Sequence, residues 1–177
     1  MEQKELARRI REIGFSCRRC GECCHSTEGD ANLVMVFPDE IQELTGATGQ
    51  KAEDFSQPYP ESVYTPDGGS ITFEWCLKRT VRGCIFLDGD RCTAYASRPW
   101  ICRTYPFMLS GDSLSLFPCN GIGGELSEDE AEEIASLLIA RRDAEQEEEE
   151  QVRAILSSRS IPAGKNVLVD RTGIRVL

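Results

Sequence analysis

The chain has 177 residues, 40% of them hydrophobic, and a formal net charge of −10 at pH 7. This length suits one ordinary domain with an apolar core, so we expect residues 1–177 to form a single domain. The charged N-terminus does not resemble a secretory signal. No segment has the roughly 20 consecutive apolar residues of a membrane span. These features exclude a membrane partner and predict a cytoplasmic protein.

The negative charge is concentrated in one segment. Residues 125–150 hold twelve acidic side chains against Arg141 and Arg142, which accounts for the whole excess. Residues 76–107 are basic instead, with six Lys or Arg side chains against two aspartates. A basic setting lowers thiol pKa values and offsets thiolate charge. The chain as a whole lacks the basic footprint of a nucleic-acid binder, so we expect no nucleic-acid partner.

Apolar spacing and turn residues in the first half predict short helices and strands. Helical spacing of Leu6, Ile10 and Ile13 indicates an amphipathic helix near the N-terminus. The predicted elements are a helix over 3–13, a strand over 33–37, a helix over 38–44 that stops at Gly46, a loop or short helix over 47–61, and a hairpin of strands 62–65 and 70–76 around the turn 66–69.

The second half combines a loop-rich stretch with one long helix, which gives an α+β fold class overall. We expect metal ligation to order residues 83–107, because that stretch has few periodic apolar runs. Alternation over residues 113–117 predicts an exposed edge strand. A capping box at Ser127 begins the acidic helix over 125–158, and residues 165–177 predict a terminal hairpin.

The acidic run over residues 145–150 has no apolar anchor, and we expect it to be a solvated helix face. Gly121–Gly124 is a weak match to a nucleotide-binding loop, because no buried strand precedes it. We expect that segment to form a turn beside a metal site.

Cysteine spacing is the most informative feature of the chain. Four of the nine cysteines lie within eight residues, at Cys17, Cys20, Cys23 and Cys24. A Cys-x-x-Cys step lets two sulphurs converge on one ion, and two consecutive steps offer three thiolates to one centre. Because a reducing compartment keeps ordinary cysteines as thiols, we expect ligands rather than structural disulfides.

A second group of cysteines brings the candidate metal ligands to eight; its members are Cys84, Cys92, Cys102 and Cys119. Three arrangements fit this number: one four-thiolate centre with spare cysteines, two tetrahedral zinc sites, or an iron–sulphur cluster whose first ligands are Cys17, Cys20 and Cys23. The first run resembles the ligand spacing of a bacterial 4Fe-4S ferredoxin, without its usual following Cys-Pro. That spacing favours an iron–sulphur cluster, with zinc as the alternative.

Two residues outside these groups could also bind a metal. Cys76 lies outside the spaced motifs, and we expect it to be a small buried apolar residue rather than a ligand. His25, the only histidine, directly follows Cys24. Neighbouring side chains often point apart, so we expect His25 to point away from the site, with metal ligation as the alternative.

Several motifs in a fixed order resemble the YkgJ-like cysteine-cluster family over residues 15–124. They are Cys-x-x-Cys-x-x-Cys-Cys at 17–24, Gly-Cys-Ile-Phe-Leu at 83–87, Arg-Cys-Thr-Ala-Tyr at 91–95, Arg-Pro-Trp-Ile-Cys at 98–102 and Arg-Thr-Tyr-Pro-Phe at 103–107. The resemblance implies that residues 15–124 form a cysteine-cluster core that chelates zinc or iron. Because the motif includes Arg98 and Arg103, it also implies that both assist cofactor binding from beside Cys102.

The same resemblance leaves other functions open. A related cysteine domain occurs in flagellin lysine methylases, where it is linked to an iron–sulphur cluster. An enzyme or accessory subunit in protein lysine methylation or redox chemistry is therefore one alternative, although no methyl-donor site is recognisable. The other is a zinc-stapled structural module whose acidic helix contacts a protein partner.

Overall fold

We examined a computed structural model, which describes residues 1–25 and 33–177. Over these ranges the chain combines helices with several small sheets, which confirms the predicted α+β class. The helices are α1 (Gln3–Ile13), α2 (Pro38–Thr48), α3 (Ala52–Phe55), α4 (Trp100–Thr104) and α5 (Glu128–Ser158), with a 3₁₀ turn at Tyr95–Ser97.

The strands are short and fall into separate antiparallel or mixed sheets. In chain order they are β1 (Met35–Val36), β2 (Ser56–Pro58), β3 (Val63–Tyr64), β4 (Ser70–Thr72), β5 (Trp75–Leu77), β6 (Arg79–Thr80), β7 (Gly83–Cys84), β8 (Leu87–Asp88), β9 (Arg91–Cys92), β10 (Phe107–Ser110), β11 (Ser113–Leu116), β12 (Asn166–Asp170) and β13 (Gly173–Val176).

Three sheets lie outside the hairpins β6-β7 and β8-β9, which carry Cys84 and Cys92. One has the strand order β1-β5-β2, another is the hairpin β10-β11, and the third has the order β13-β12-β4-β3. In the third sheet β12 runs parallel to β4, with Val167 opposite Ile71. This parallel pairing joins the C-terminal hairpin to the middle of the chain, a contact that local sequence patterns do not predict.

The N-terminal helix packs against the long acidic helix. Leu6 and Ile10 of α1 are fully buried and share an apolar cluster with Ala135 and Leu138 of α5 and with Phe107 of β10. Small alanines on α5 let the two helices approach closely. The spacing of three or four residues along each helix places these side chains on one face of it. The cluster fixes both the segment that precedes Cys17 and the strand that follows α4.

A second apolar cluster lies under the other cysteines. Phe55 and Phe86 pack at 5.4 Å between ring centroids, within a buried group that includes Leu44, Leu77 and Cys84. Residues that flank cysteines are therefore part of an apolar core, which holds the surrounding backbone in place.

Most predicted elements are confirmed, with three corrections. Residues 47–61, expected to be a loop or a short helix, contain the short helix α3 and also strand β2, which pairs with β5. The helix expected to stop at Gly46 continues to Thr48, because a glycine inside a helix costs only about 1 kcal/mol. Gly49, at φ 69°, closes it instead. The strand expected over 70–76 is two strands: β4 forms the expected hairpin with β3, whereas β5 pairs with β1 and β2.

The acidic middle of α5 is mostly exposed, as predicted, with one exception. The Glu148 side chain is only 14% exposed and accepts a hydrogen bond from the backbone N–H of Arg171, at 2.8 Å. Arg171, in the turn between β12 and β13, also pairs with Asp39 of α2. Glu148 therefore ties the long helix to the terminal hairpin, and this residue does not belong to a purely solvated face.

Within the described ranges, no helix has both the length and the apolar character needed to cross a membrane.

Packing between α1 and α5 makes the first testable prediction. Replacing Ile10, which is fully buried, with Ala is expected to lower the free energy of unfolding by about 2–5 kcal/mol, because a cavity is left in the core. Val81 is 97% exposed, so V81A serves as a control with a change within about 0.5 kcal/mol. Urea unfolding followed by circular dichroism measures both; equal stabilities would contradict this packing.

Candidate metal centre

The first group of cysteines lies on a loop, residues 17–24, that docks against the second group through backbone contacts. The loop closes on itself where the N–H of Cys24 donates to the carbonyl of Gly21, at 2.7 Å. The carbonyl of Cys24 then accepts a hydrogen bond from the N–H of Cys84, at 2.8 Å. His25 forms a β-bridge with Gly83 at the same place. Main-chain pairing therefore joins residues that are sixty positions apart.

Two glycines make this docking possible. Gly83 has φ 138°, and a Cβ there would lie 2.9 Å from the Cα of His25 and closer still to the carbonyl oxygen of Cys24. Gly21 has φ 75°, and its Cβ would lie 2.8 Å from the carbonyl oxygen of Asp90. Only glycine combines these dihedral angles with such close backbone approach.

The chain just before the loop is fixed in a similar way. Ser16 donates its N–H to the carbonyl of Gly121, at 2.9 Å, and Gly14 accepts from the N–H of Gly123, at 3.0 Å. A Cβ on Gly124 would lie 2.8 Å from the backbone nitrogen of Ser16. The Gly121–Gly124 segment is thus a docking turn beside Cys119, which agrees with the interpretation that it is not a nucleotide loop.

Small hairpins present Cys84 and Cys92. Strands β6 and β7 pair Arg79 with Cys84, and β8 and β9 pair Leu87 with Cys92. Each hairpin has a two-residue loop, which the right-handed strand twist favours when the residues tolerate tight turns. Cys102 comes from the short helix α4, and Cys119 follows β11 near the docking turn.

Thiols from both groups lie close enough to shift one another's pKa. Burial raises the pKa of Cys102, and the charges of Cys84, Cys23 and Cys92 raise it further. Burial also raises the pKa of Cys84 and of Cys92, with the charge of Cys23 again opposing ionisation. Several thiolates in one partly buried region repel each other, and a bound cation would relieve that repulsion.

The adjacent pair Cys23 and Cys24 is the closest thiol contact. Their Sγ atoms are 3.9 Å apart. The hydrogen bond from Cys24 lowers the pKa of Cys23 to about 6 and raises the pKa of Cys24. Cys23 can therefore act as a thiolate ligand near neutral pH.

Backbone amides point at three of the sulphurs from two residues further along the chain. The N–H of Gly121 donates to Cys119 Sγ, at 3.4 Å. Amide hydrogen bonds from Phe86 and Ala94 lower the pKa values of Cys84 and Cys92 against the effect of burial. Such hydrogen bonds stabilise thiolate and orient metal ligands.

The remaining two of the eight candidate metal ligands are at the surface. Cys17 and Cys20 are exposed, and neither is part of a disulfide. Cys20, Cys23 and Cys119 lie around Tyr105, whose pKa is raised by burial and then by the charges of these three cysteines. Both predicted groups of cysteines are thus represented around one ring.

The two arginines expected to assist binding lie in different surroundings. Arg98 donates from Nε to the carbonyl of Tyr95, at 2.9 Å, and its guanidinium lies 3.5 Å from the ring centroid of that residue. From there its charge lowers the pKa values of Cys23, Cys92 and Cys102. Arg103 instead lies close enough to Glu40 to oppose the rise in that carboxyl's pKa.

Three residues that sequence reasoning missed support the site. Arg79 donates to the carbonyl of His25, at 2.8 Å, and lowers the pKa of Cys84. Tyr95 holds Arg98 in place. Glu40 is buried and accepts the backbone N–H groups of Phe37 and Trp100, at 2.9 and 2.6 Å. Because Trp100 begins α4, Glu40 positions the helix that carries Cys102.

His25 and Cys76 each have a contact outside the eight candidate ligands. The Nε2 atom of His25 is 3.1 Å from a carboxylate oxygen of Asp90. Cys76 is fully buried on β5, and its thiol faces the carbonyl of Pro58 at 3.8 Å. That neither residue is a primary ligand stays a prediction.

Over residues 1–25 and 33–177, no three His, Cys, Asp or Glu side chains are already arranged to hold a metal ion. The fold brings cysteines of both groups close enough to affect one another's pKa, and metal binding would draw their side chains towards a common point. The role of each cysteine as a ligand stays a prediction.

A fold of small sheets around gathered, partly ionisable thiols defines a cysteine-rich metal-binding protein. The family model CxxCxxCC, described as a "putative zinc- or iron-chelating domain", matches residues 16–121. This chain belongs to that family, which supports metal binding through cysteines. No solved structure matches the chain.

Docking at Gly83 makes the second prediction. G83A is expected to separate the two cysteine groups, to cost more than about 3 kcal/mol of unfolding free energy and to remove most of the bound metal. Gly89, in the neighbouring hairpin, also has a positive φ, of 58°, but its Cβ would meet nothing within 4 Å.

G89A is therefore the matched control, since it tests the dihedral angle without the steric contact. We expect a cost of only about 1–2 kcal/mol and unchanged metal content, measured by elemental analysis of both variants. Equal metal content in G83A and the native protein would contradict the role of this contact.

Proposed function

We propose that this protein binds an iron–sulphur cluster through thiolates from both cysteine groups. The observation that carries the proposal is the closeness of four cysteines: Cys23, Cys84, Cys92 and Cys102. In their partly buried region, the negative charge of one thiolate raises the pKa of its neighbours. Such an arrangement favours a cationic centre that replaces the thiol protons. Bound there, the cluster would supply one-electron transfer.

Iron–sulphur is preferred over zinc for two reasons. The run Cys17, Cys20 and Cys23 has the spacing of three cluster ligands. Amide N–H groups aimed at sulphur, such as that of Gly121 at Cys119, and the positive charge of Arg98 both offset the negative charge of a thiolate-bound cluster. Zinc requires only four of the eight thiols and remains the alternative.

Different residues would bind the cluster, adjust its reduction potential and position its ligands. Thiolates of Cys17, Cys20 and Cys23 would bind it from the loop, and one or more of the second group would close the site. Arg98 would raise the reduction potential through its charge, held by Tyr95. Arg103, expected from the family motif to assist, would act through Glu40 and α4, because Glu40 is the carboxyl that its charge affects.

Metal analysis tests this proposal. Protein purified without oxygen is expected to contain iron and acid-labile sulphide in matching amounts, with the broad visible absorption of thiolate-bound iron. Colourless protein that contains zinc and no sulphide would contradict the cluster and support the zinc alternative. Unfolding of the protein when zinc is removed by a chelator would then indicate that the metal has a structural role.

A pair of cysteine variants makes the third prediction. C102A is expected to lose most of the cluster's visible absorption and its iron, because this thiol lies among three others of the proposed site. C76A removes an equally small thiol from a buried strand away from that group.

C76A is expected to keep its iron and sulphide and to lose at most about 3 kcal/mol of unfolding free energy. Both variants should be analysed anaerobically alongside the native protein. Equal loss in the two variants would show that metal content reports stability, and retention in C102A would remove Cys102 from the site.

A further inference from the structure

A cavity of about 540 Å³ is lined by Trp100 and Ile101 of α4, the two residues that precede Cys102 in the chain. Its walls come from β1, β5, the first residues of α4 and the inner face of α5. This volume falls in the range of small-molecule sites. None of the eight candidate metal ligands lines it.

Arg141 lines the cavity, and its buried guanidinium lacks a full set of hydrogen-bond partners. The Arg141 side chain is 8% exposed, and its Nε donates to Glu145 at 2.8 Å. Its Nη1 is buried and has no hydrogen-bond partner among the described residues. A buried donor of this kind calls for an acceptor, and a planar guanidinium is well matched to a carboxylate.

Two carboxylates stand beside that guanidinium. Glu74 and Glu145 line the cavity, and the pKa of Glu74 is raised by burial and then by the charge of Glu145, while Arg141 lowers it. Two acids against one arginine would repel a simple anion. A ligand that also carries an ammonium group would place a positive charge beside the two acids while its negative group meets Arg141.

Other acids of the cavity are already engaged. Glu40 accepts two backbone N–H groups, Glu149 pairs with Arg153 at 2.6 Å, and Asp170 accepts from Trp75 Nε1 at 2.9 Å. Glu148 accepts from the backbone of Arg171, although its Oε2 has no hydrogen bond. Each of these acids already has a donor, which leaves Arg141, Glu145 and Glu74 as the groups placed to meet a charged ligand.

Aromatic rings supply the apolar part of the wall. Trp100 and Phe37 pack edge to face, with ring centroids 6.0 Å apart, and Trp75 also lines the cavity. Rings of this kind favour an apolar or aromatic ligand body.

We infer that the cavity binds a zwitterionic ligand of the amino-acid class. Its carboxylate accepts from Arg141 Nη1, its ammonium lies between Glu74 and Glu145, and its apolar side chain packs against Trp75 and Trp100. This inference does not rest on the metal centre, since its residues and those of the cysteine site are different.

Isothermal titration calorimetry on the metal-loaded native protein tests the charge requirement. The probes are L-phenylalanine, L-tryptophan and L-leucine, together with 2-phenylethylamine, which lacks the carboxylate, and 3-phenylpropanoate, which lacks the ammonium. We expect at least one amino acid to bind, and each single-charge analogue of phenylalanine to bind at least about tenfold more weakly than phenylalanine. No amino acid binding with a Kd below about 1 mM, or equal binding of a single-charge analogue, would overturn the inference.

Variants on one helix test the residue assignment. R141M keeps most of the buried stem and removes the donors, so amino-acid binding should fall at least about tenfold. Arg142 is next in the chain but pairs with Asp143 and Asp112, so R142M is the matched control and should bind normally. E74Q removes the negative charge with almost no change of shape, and it gives a second test if R141M does not fold.

E74Q is expected to weaken binding of the amino acid more than binding of 3-phenylpropanoate, because only the former has an ammonium group. Native affinity in R141M or E74Q would overturn the assignment. Metal content is measured in the same samples and should be unchanged, so failure of this inference is distinguishable from failure of the proposed metal site.

Discussion

The main-chain contact between Cys24 and Cys84 is the constraint on which the cysteine region depends. It brings a loop near the N-terminus against a hairpin sixty residues later, and it exists only because Gly83 has no side chain. Gly21 makes a comparable approach to Asp90. Since these contacts use backbone atoms, the loop is positioned before any thiol binds a ligand, which lowers the conformational entropy that metal binding must overcome.

Two sets of effects then shift the pKa values of the same thiols in opposite directions. Burial and mutual repulsion favour the protonated forms, whereas amide N–H groups and Arg98 favour the thiolates. A metal centre shifts this balance decisively, because its charge replaces the protons. Glu40 extends the same support to α4, whose first residue, Trp100, lines the proposed ligand cavity. The cavity and the cysteine site therefore share a positioned helix while using different side chains.

Local patterns predicted the elements well: the Ser127 capping box and the helix after it are present, as are both predicted hairpins. What they missed depends on contacts distant in sequence, such as the pairing of β12 with β4 and the two helix ends joined by Glu40. Spacing alone predicted the two cysteine groups. The sequence does not show, however, that the glycine beside Cys84 contacts backbone atoms distant in the chain. A single domain over 1–177 and a cytoplasmic location stay predictions.

X-ray absorption spectroscopy at the metal edge of anaerobically purified protein tests the central claim most directly. If cysteines from the two docked groups bind the metal, the nearest ligands are sulphur only, at about 2.3 Å for thiolate, with a second iron shell when a cluster is present. A nearest shell made mainly of oxygen or nitrogen would contradict the account, because it would leave the gathered thiols outside the metal site.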